Sequence, residues 1–396
     1  MTGPTLVRLD PATPPEAAAL VREAAGDGVR LAFVGGGTHT VPHSGKADGI
    51  LSTRGMRAIV EYAPQDQTVT VEAGMTIAEL ARILGANEQR LVLDVAEPER
   101  ATLGGSIAAN AFGARRLRYG SLKDLILGVT MVRADGTPAR AGGKVVKNVA
   151  GFDLAKLVVG SYGALALVTT ATLRVHPTPA RTRALRLSDR SALEVWEFVV
   201  ATRARQLEPA SIVAVRGGGG SSRYAVDVVV EGFSAGVDAQ IETLLTGATG
   251  AGIRVEEIEP QLAFDADRAV RGGGTVRLRC TARPSELSLV DAAVISPLLE
   301  TLDAASAGLY PSLGVAFIAG TPRDATALRD ALVAARAELE RRGGALVVEA
   351  FPGDPQIELA FDTWGTPPPS FALMRQLKAR FDPLGRFNPG SFVGGL

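Results

Sequence analysis

Cysteine is almost missing from this chain: Cys280 is the single one among 396 residues. One thiol cannot close an internal disulfide, complete a cysteine-based zinc site or ligate an iron–sulfur cluster. Histidine is nearly as scarce. His39, His43 and His176 are all there are, and the second half of the sequence has none, which excludes a multi-histidine metal centre there. Net charge is absent as well: Lys+Arg and Asp+Glu both total 42. That balance argues against a nucleic-acid binder and against a polybasic membrane anchor. No run approaches the roughly 18 consecutive apolar residues of a membrane helix. The N-terminal segment lacks the basic start and apolar core of a signal peptide. A cytoplasmic protein without a membrane span of its own is expected, with any peripheral attachment to an inner membrane made through partners.

What is present describes an ordinary globular chain, 46% hydrophobic and 21% charged, long enough for two domains or one domain with a large insertion. The first part reads as mixed α/β. Pro15–Ala25 has helical character, and Leu31–Val34 is a short apolar strand followed by Gly35–Thr38 (GGGT). Gln67–Glu72 is rich in β-branched residues and reads as a strand. Thr76–Leu84 predicts a helix with Ile77, Leu80, Ala81 and Leu84 on one face and a capping box of Thr76 with Glu79. Leu127–Arg133 and Thr137–Ala141 flank the turn residues Asp135-Gly136, and Leu165–Val175 is a further β-rich run. The segment PTPARTR from about Thr178 reads as a linker. Beyond it, Ala225–Glu231, Val276–Cys280, Leu313–Ala319 and Ala345–Ala350 are strand candidates. Asp324–Arg342 is a helix with Leu328, Leu332, Ala335 and Leu339 inward and Gly343 as its stop. The tail follows a helix at Ser370–Arg380 and has Phe381, Phe387 and Phe392 as anchors. No internal repeat stands out beyond two GGGT tetrads.

Three segments carry chemistry. In VGGGTHT (Val34–Thr40), glycines after a strand leave backbone N–H groups open to close approach by a phosphate. The spacing is not that of a Rossmann fingerprint. Gly142-Gly143-Lys144 is followed by Val145, so no Walker A loop is present. In ATLGGSIAAN (Ala101–Asn110), small residues make a surface that backbone can press against a flat or anionic ligand, with Thr102, Ser106 and Asn110 as hydrogen-bonding groups. The third segment, Gly142–Leu173, concentrates Asn148, Gly151, Asp153, Gly160, Ser161 and Gly163. Four of the six lysines lie between Lys123 and Lys156, in a chain with 36 arginines, which hints at a local role for an ammonium group.

In this order, ATLGGSIAANAFGARRLRYGSLKDLILGV, KVVKNVAGFDLAKLVVGSYGALALVTTATLRVHP and the closing FDPLGRFNPG resemble the FAD-binding domain of the vanillyl-alcohol oxidase/p-cresol methylhydroxylase (PCMH) type, nearest to the FAD-binding subunits of the glycolate oxidase family. The resemblance covers nearly all of residues 15–177 and the last 20, and the region between them only loosely. It implies an α+β fold: a PCMH-type FAD domain of two α/β subdomains at 1–177, an α+β cap with an antiparallel sheet at 178–365, and a C-terminal segment, 366–396, returning to the FAD domain. It also implies site roles. Gly35, Gly36, Gly37 and Thr38 would wrap the diphosphate, and Thr102, Gly104, Gly105 and Ser106 would complete the cradle. Asn110 and Gly113 would lie near the flavin, with Asn148 and Gly151 in the same site. Val168 would offer backbone to the adenine, and Asn388 would return near the isoalloxazine. Asp153 and Lys147 are candidates for flavin contacts or a buried ion pair, the structural role being favoured.

Departures from the family pattern sharpen the expectation. Members often carry a covalently linked His where Thr38 stands, and His39 is one residue late, so non-covalent FAD is expected. The usual GSEG becomes Gly160-Ser161-Tyr162-Gly163, and a usual Gly becomes Ala166. Related hydroxy-acid dehydrogenases have cap histidines that this chain lacks, so no catalytic residue can be named. Arg203, Arg205, Arg216, Arg223 and Arg271 are possible carboxylate holders, and Arg115, Arg116 and Arg118 read as exposed. The resemblance implies an FAD subunit that joins a second FAD subunit (D) and an iron–sulfur subunit (F) to oxidise a small 2-hydroxy acid such as glycolate. A self-sufficient FAD-dependent oxidase and a non-catalytic scaffold of the same fold are the alternatives.

Overall fold

The structure, a computed structural model, describes residues 7–39, 46–144, 153–218, 222–353 and 358–396. The chain divides into two compact units. The first comprises Met1–Phe112, Gly120–Thr178 and Thr366–Leu396, and the second Gly113–Tyr119 and Pro179–Gly365.

The first unit holds two sheets. Strands β1 (Val7–Leu9), β2 (Leu31–Val34) and β3 (Gly49–Ser52) form a parallel sheet in the order β1-β3-β2. Helix α1 (Pro14–Gly26) starts where Thr13 accepts from the N–H of Glu16, with two prolines at the first helical positions, where a missing N–H costs nothing. It buries Ala17, Ala18, Val21 and Ala24 in a core with Leu31, Leu51 and Phe387. The second sheet is antiparallel: β4 (Ile59–Ala63), β5 (Thr68–Glu72), β7 (Ile126–Val132), β8 (Pro138–Gly142) and β9 (Leu167–Arg174) run in the order β4-β5-β9-β7-β8. A small ribbon pairs β6 (Gln89–Arg90) with β10 (His176–Pro177). The turn at Asp135-Gly136 joins β7 to β8 as its residues predict, with Gly136 at φ +77°.

Helix α2 (Ile77–Gly85) is capped by Thr76 and buries Ile77, Leu80 and Leu84. Ala81, expected on that face, is exposed, because the buried stripe is narrower than the periodicity allowed. Helix α3 (Leu103–Ala109) begins at Thr102 and ends in a left-handed Asn110.

The second unit is built on one eight-stranded sheet. Its strands are β11 (Arg181–Arg190), β12 (Ser211–Gly217), β13 (Tyr224–Gly232), β14 (Val255–Ile258), β15 (Val276–Thr281), β16 (Leu302–Tyr310), β17 (Val315–Pro322) and β18 (Ala345–Ala350). Helices α4 (Ala192–Ala204), α5 (Ser234–Gly250), α6 (Pro260–Gly272) and α7 (Ala325–Arg341), with the helical segment Leu287–Glu300, connect them. The spatial order is β14-β11-β13-β12-β16-β17-β15-β18, with every pair antiparallel. Each half is a β-α-β-β-α-β unit whose strands, read from the outer edge, run fourth, first, third, second. The halves join through their second strands, β12 and β16. This repeat is invisible in the sequence, because what recurs is an order of strands and not residues. The expected linker PTPARTR is also corrected: Arg181 already opens the ten-residue β11. Helix α7 buries Leu328, Leu332, Ala335 and Leu339 as its periodicity predicts, and Gly343 follows at φ +74°. Among the described residues, no helix is long and apolar enough to cross a membrane.

Candidate functional site

The site is built at the end of β2. The chain leaves the strand at Val34 and turns through Gly35, Gly36, Gly37 and Thr38. The carbonyls of Gly35 and Gly36 each accept a hydrogen bond from Arg54, from Nε and Nη2 respectively, both at 3.0 Å. The carbonyl of Gly37 accepts from Arg100 Nη2 at 3.5 Å. With the carbonyls so engaged, the N–H groups of Gly35, Gly36 and Gly37 donate no hydrogen bond among the described residues. A run of unengaged N–H groups is what an anionic diphosphate needs. Side chains are kept out by contact: a Cβ on Gly36 would lie 1.9 Å from the carbonyl oxygen of Arg100, and one on Gly35 2.3 Å from Thr102 Oγ1.

Helix α3 supplies the facing wall. Thr102 is 2% exposed, and its hydroxyl accepts from the N–H of Gly105 at 3.3 Å. Gly104 donates instead to Ala73 O at 2.8 Å, which seats the helix on the body of the unit. Ser106 is buried behind it. The turn Gly160–Gly163 is tied to the same helix by Gly160 N donating to Ile107 O and Tyr162 N to Ala108 O, both at 2.9 Å.

The C-terminal tail closes the third side. Leu31 N donates to Arg386 O and Asn388 N to Leu31 O, both at 2.8 Å, so the tail lies beside β2. The Asn388 side chain accepts from Phe33 N and donates to Tyr162 O, both at 2.7 Å. Gly163, at φ +70°, passes so close that a Cβ would sit 2.3 Å from Asn388 Nδ2. Lys378 donates to Ala164 O and Phe387 O, each at 2.8 Å, and pairs with the buried Asp382. Asn388 therefore lines the site while its amide ties strand β2 to the Tyr162 turn.

These pieces meet in two adjoining cavities that share Gly35, Gly105, Ala108, Tyr162 and Asn388. One is also lined by Gly36, Gly37, Thr38 and His39, the other by Thr53, Gly104 and Val168. Gly36, Gly105 and Val168, far apart in sequence, thus lie along one groove. Thr38 Oγ1 and His39 Nδ1 are 3.4 Å apart. Asn110 caps α3, close by in sequence. Gly113 falls in the segment assigned to the second unit. Asn148, Gly151 and Lys147 lie outside the described residues. Asp153 is no part of a buried pair: about half exposed, it caps a short helix and pairs with Lys156 at 3.2 Å.

Motif reading missed Thr53 and Arg54. Neither belongs to a glycine segment, and their only signal is their place directly after β3. The groove fits FAD on its own terms. Besides the glycine N–H groups, Thr53 Oγ1, on the wall of the groove, is buried without a hydrogen-bond partner among the described residues. Buried polar atoms left so are uncommon in folded proteins and mark places where a ligand can supply the partner.

The second unit holds its arginines in pairs. Arg216 meets Asp291 at 3.0 Å, and Tyr224 donates to the same carboxylate at 2.5 Å. Burial raises the pKa of Asp291 and pushes the Tyr224 hydroxyl well above its usual range. Arg271 pairs with Asp267 at 2.7 Å, and Tyr310 donates to that carboxylate, also at 2.7 Å. Arg223 pairs with Asp189 and Glu194, and Arg205 donates to Ala201 O. No arginine among these stands out as a carboxylate holder; Arg203 lies in the last turn of α4. Arg118 is exposed as expected, whereas Arg115 is only partly so. Arg115 lies 3.5 Å from the buried Glu231 carboxylate and over the Phe264 ring, and Arg118 donates to Glu231 O.

Residues 5–142 match the FAD binding domain family. Glycolate oxidase subunit GlcE of Escherichia coli (strain K12) is 29% identical over 256 residues, covering 60% of this chain and 72% of that protein. Glycolate oxidase subunit GlcD of Bacillus subtilis (strain 168) is 35% identical over 136 residues, covering 34% of this chain but only 29% of its own length. The fold is that of p-cresol methylhydroxylase, whose crystal structure superposes with a TM-score of 0.74 at 15% identity over 97% of this chain and 88% of that one.

Proposed function

Starting from a chain that carries an FAD-binding domain and is an FAD-linked oxidoreductase of the PCMH-type fold, we propose that it is the flavin subunit of a 2-hydroxy acid oxidoreductase of the glycolate oxidase kind. The observation that carries the reading is the convergence of Gly35–Thr38, Gly105, Val168 and Asn388 on one groove with unengaged N–H donors. FAD supplies the electron acceptor for the substrate C–H bond when bound. The chain holds it without a covalent link. The Gly35–Gly37 N–H groups bind the diphosphate, the backbone at Val168 faces the adenine, and Asn388 fixes the turn beside the ring. Acid precipitation tests the non-covalent link, with the yellow colour expected in the supernatant.

GlcE of one organism and GlcD of another are each named a glycolate oxidase subunit, and their likeness to this chain supports a complex of several subunits, in our reading one in which it works beside a second FAD subunit and an iron–sulfur subunit. With its single cysteine the chain ligates no iron–sulfur cluster of its own, so a bound flavin would need an electron acceptor other than a cluster in this chain. A supporting role in electron transfer or assembly suits a cap without histidines and with its buried arginines already paired. In this reading the protein works in the cytoplasm, with any hold on the inner membrane made by partners. Anaerobic addition of glycolate, D-lactate and D-2-hydroxyglutarate to the flavin-loaded chain, with and without the partner subunits, tests this. Flavin bleaching that needs the partners is expected. Fast bleaching of the chain alone would replace the supporting role with self-sufficient oxidation.

A further inference from the structure

We propose that Thr53 and Arg54, the two residues directly after β3, form a second half of the flavin cradle. Thr53 donates its hydroxyl hydrogen to bound FAD. Arg54 is a positioning residue that keeps the Gly36 and Gly37 N–H groups turned toward the diphosphate. The inference rests on the flavin site and not on which hydroxy acid is oxidised.

Thr53 is held rigidly. Its N–H donates to Val34 O at 2.9 Å, and its carbonyl accepts from Met56 N at 3.1 Å. The residue is 5% exposed, its Oγ1 has no partner among the described residues, and it lines the cavity shared with Gly35, Gly105 and Val168. A valine would fill the same volume without a polar atom, and a buried hydroxyl left unpaired is costly to keep. A hydroxyl on the wall of a groove built from glycine N–H groups is satisfied when an oxygen-rich ligand is present.

Arg54 acts one step back. It is exposed at the surface, yet its guanidinium donates to the backbone carbonyls of both Gly35 and Gly36. A planar guanidinium can hold two neighbouring carbonyls at once, which a lysine ammonium on a flexible stem does less well. By fixing the Gly35 and Gly36 carbonyls, it fixes which way the N–H groups of the same peptides, those of Gly36 and Gly37, point, while Thr53 N–H on Val34 O does the same for Gly35.

The test uses the full-length chain loaded with FAD, with flavin release on dilution followed by the recovery of flavin fluorescence. Thr53→Val is expected to speed release about tenfold or more, and Thr53→Ser to stay within about threefold of wild type. Arg54→Lys is expected to speed release about tenfold while leaving the thermal unfolding of the flavin-free chain unchanged. If Thr53→Val folds poorly, Thr53→Cys, with a weak donor in the same place, is expected to fall between Ser and wild-type retention on one side and rapid loss on the other. Retention of FAD by Thr53→Val as long as by wild type overturns the hydroxyl contact, and the same outcome for Arg54→Lys overturns the positioning role. A wild-type chain that takes up no FAD would sink the flavin site itself, a result distinct from either.

Discussion

At the residue scale, the groove depends on a few atoms that do two jobs. Asn388 is the clearest: at φ +44° and 3% exposure, it satisfies Phe33 N–H and Tyr162 C=O with one amide. Replacing it by alanine leaves both groups buried and unpaired. Asn388→Ala is expected to lose about 2–4 kcal/mol of stability and most bound flavin, read by denaturant unfolding and by the flavin-to-protein absorbance ratio. The sequence pointed to Asn388 through its FNPG setting but gave it a place at the ring. Its structural role could not be read, since it depends on partners at Phe33 and Tyr162, 355 and 226 positions away. Asp153 shows the opposite case. Its signal came from crowding with other special residues, and its actual duty is local capping.

At the element scale, α3 is a seven-residue helix whose start decides where the groove wall stands. Thr102 caps it and also meets the space where a Gly35 side chain would be. Thr102→Ala is expected to cost about 1 kcal/mol in the unfolding of the first unit, as loss of an N-cap usually does, and to weaken FAD binding by loosening Gly105. The tail is an element of the same kind. Phe387 is 1% exposed in the core with Leu31 and Leu51 and packs edge-on against Phe33 at a centroid distance of 4.6 Å. Burial of such a ring contributes about 2–3 kcal/mol. Truncation before Thr366 is therefore expected to give a chain that does not retain flavin, measured by the absorbance of the purified product. Helices such as α2 and α7 were legible because one face of a helix buries at a period near 3.6. β11 was not, because the prolines just before it, Pro177 and Pro179, and the arginines at its start mimic a linker.

At the scale of the whole molecule, the second unit encloses Cys280 completely. Burial pushes its thiol up to about 12. The folded pKa lies above the unfolded one, so the neutral thiol favours the folded state. That contribution is present below about pH 8.5 and is lost as pH rises toward 12. The expected outcome is a steeper fall in stability between pH 9 and pH 12 than in Cys280→Ala, read by denaturant unfolding at a series of pH values. In the native chain a thiol reagent at neutral pH is expected to react with no cysteine, and with one after unfolding.

The sequence by itself determined the chemistry of the chain and its strongest local elements. It set one cysteine, no histidine after His176, and glycine-rich segments that admit a phosphate, because composition and short-range periodicity act through neighbouring residues. Only the tertiary structure decided that Gly36, Gly105 and Val168 share a groove, that Thr53 lines it with Arg54 behind the glycine loop, and that the second unit is two halves joined at β12 and β16. Those facts arise from contacts between distant positions, where burial and hydrogen bonding select a packing that no single window of sequence specifies.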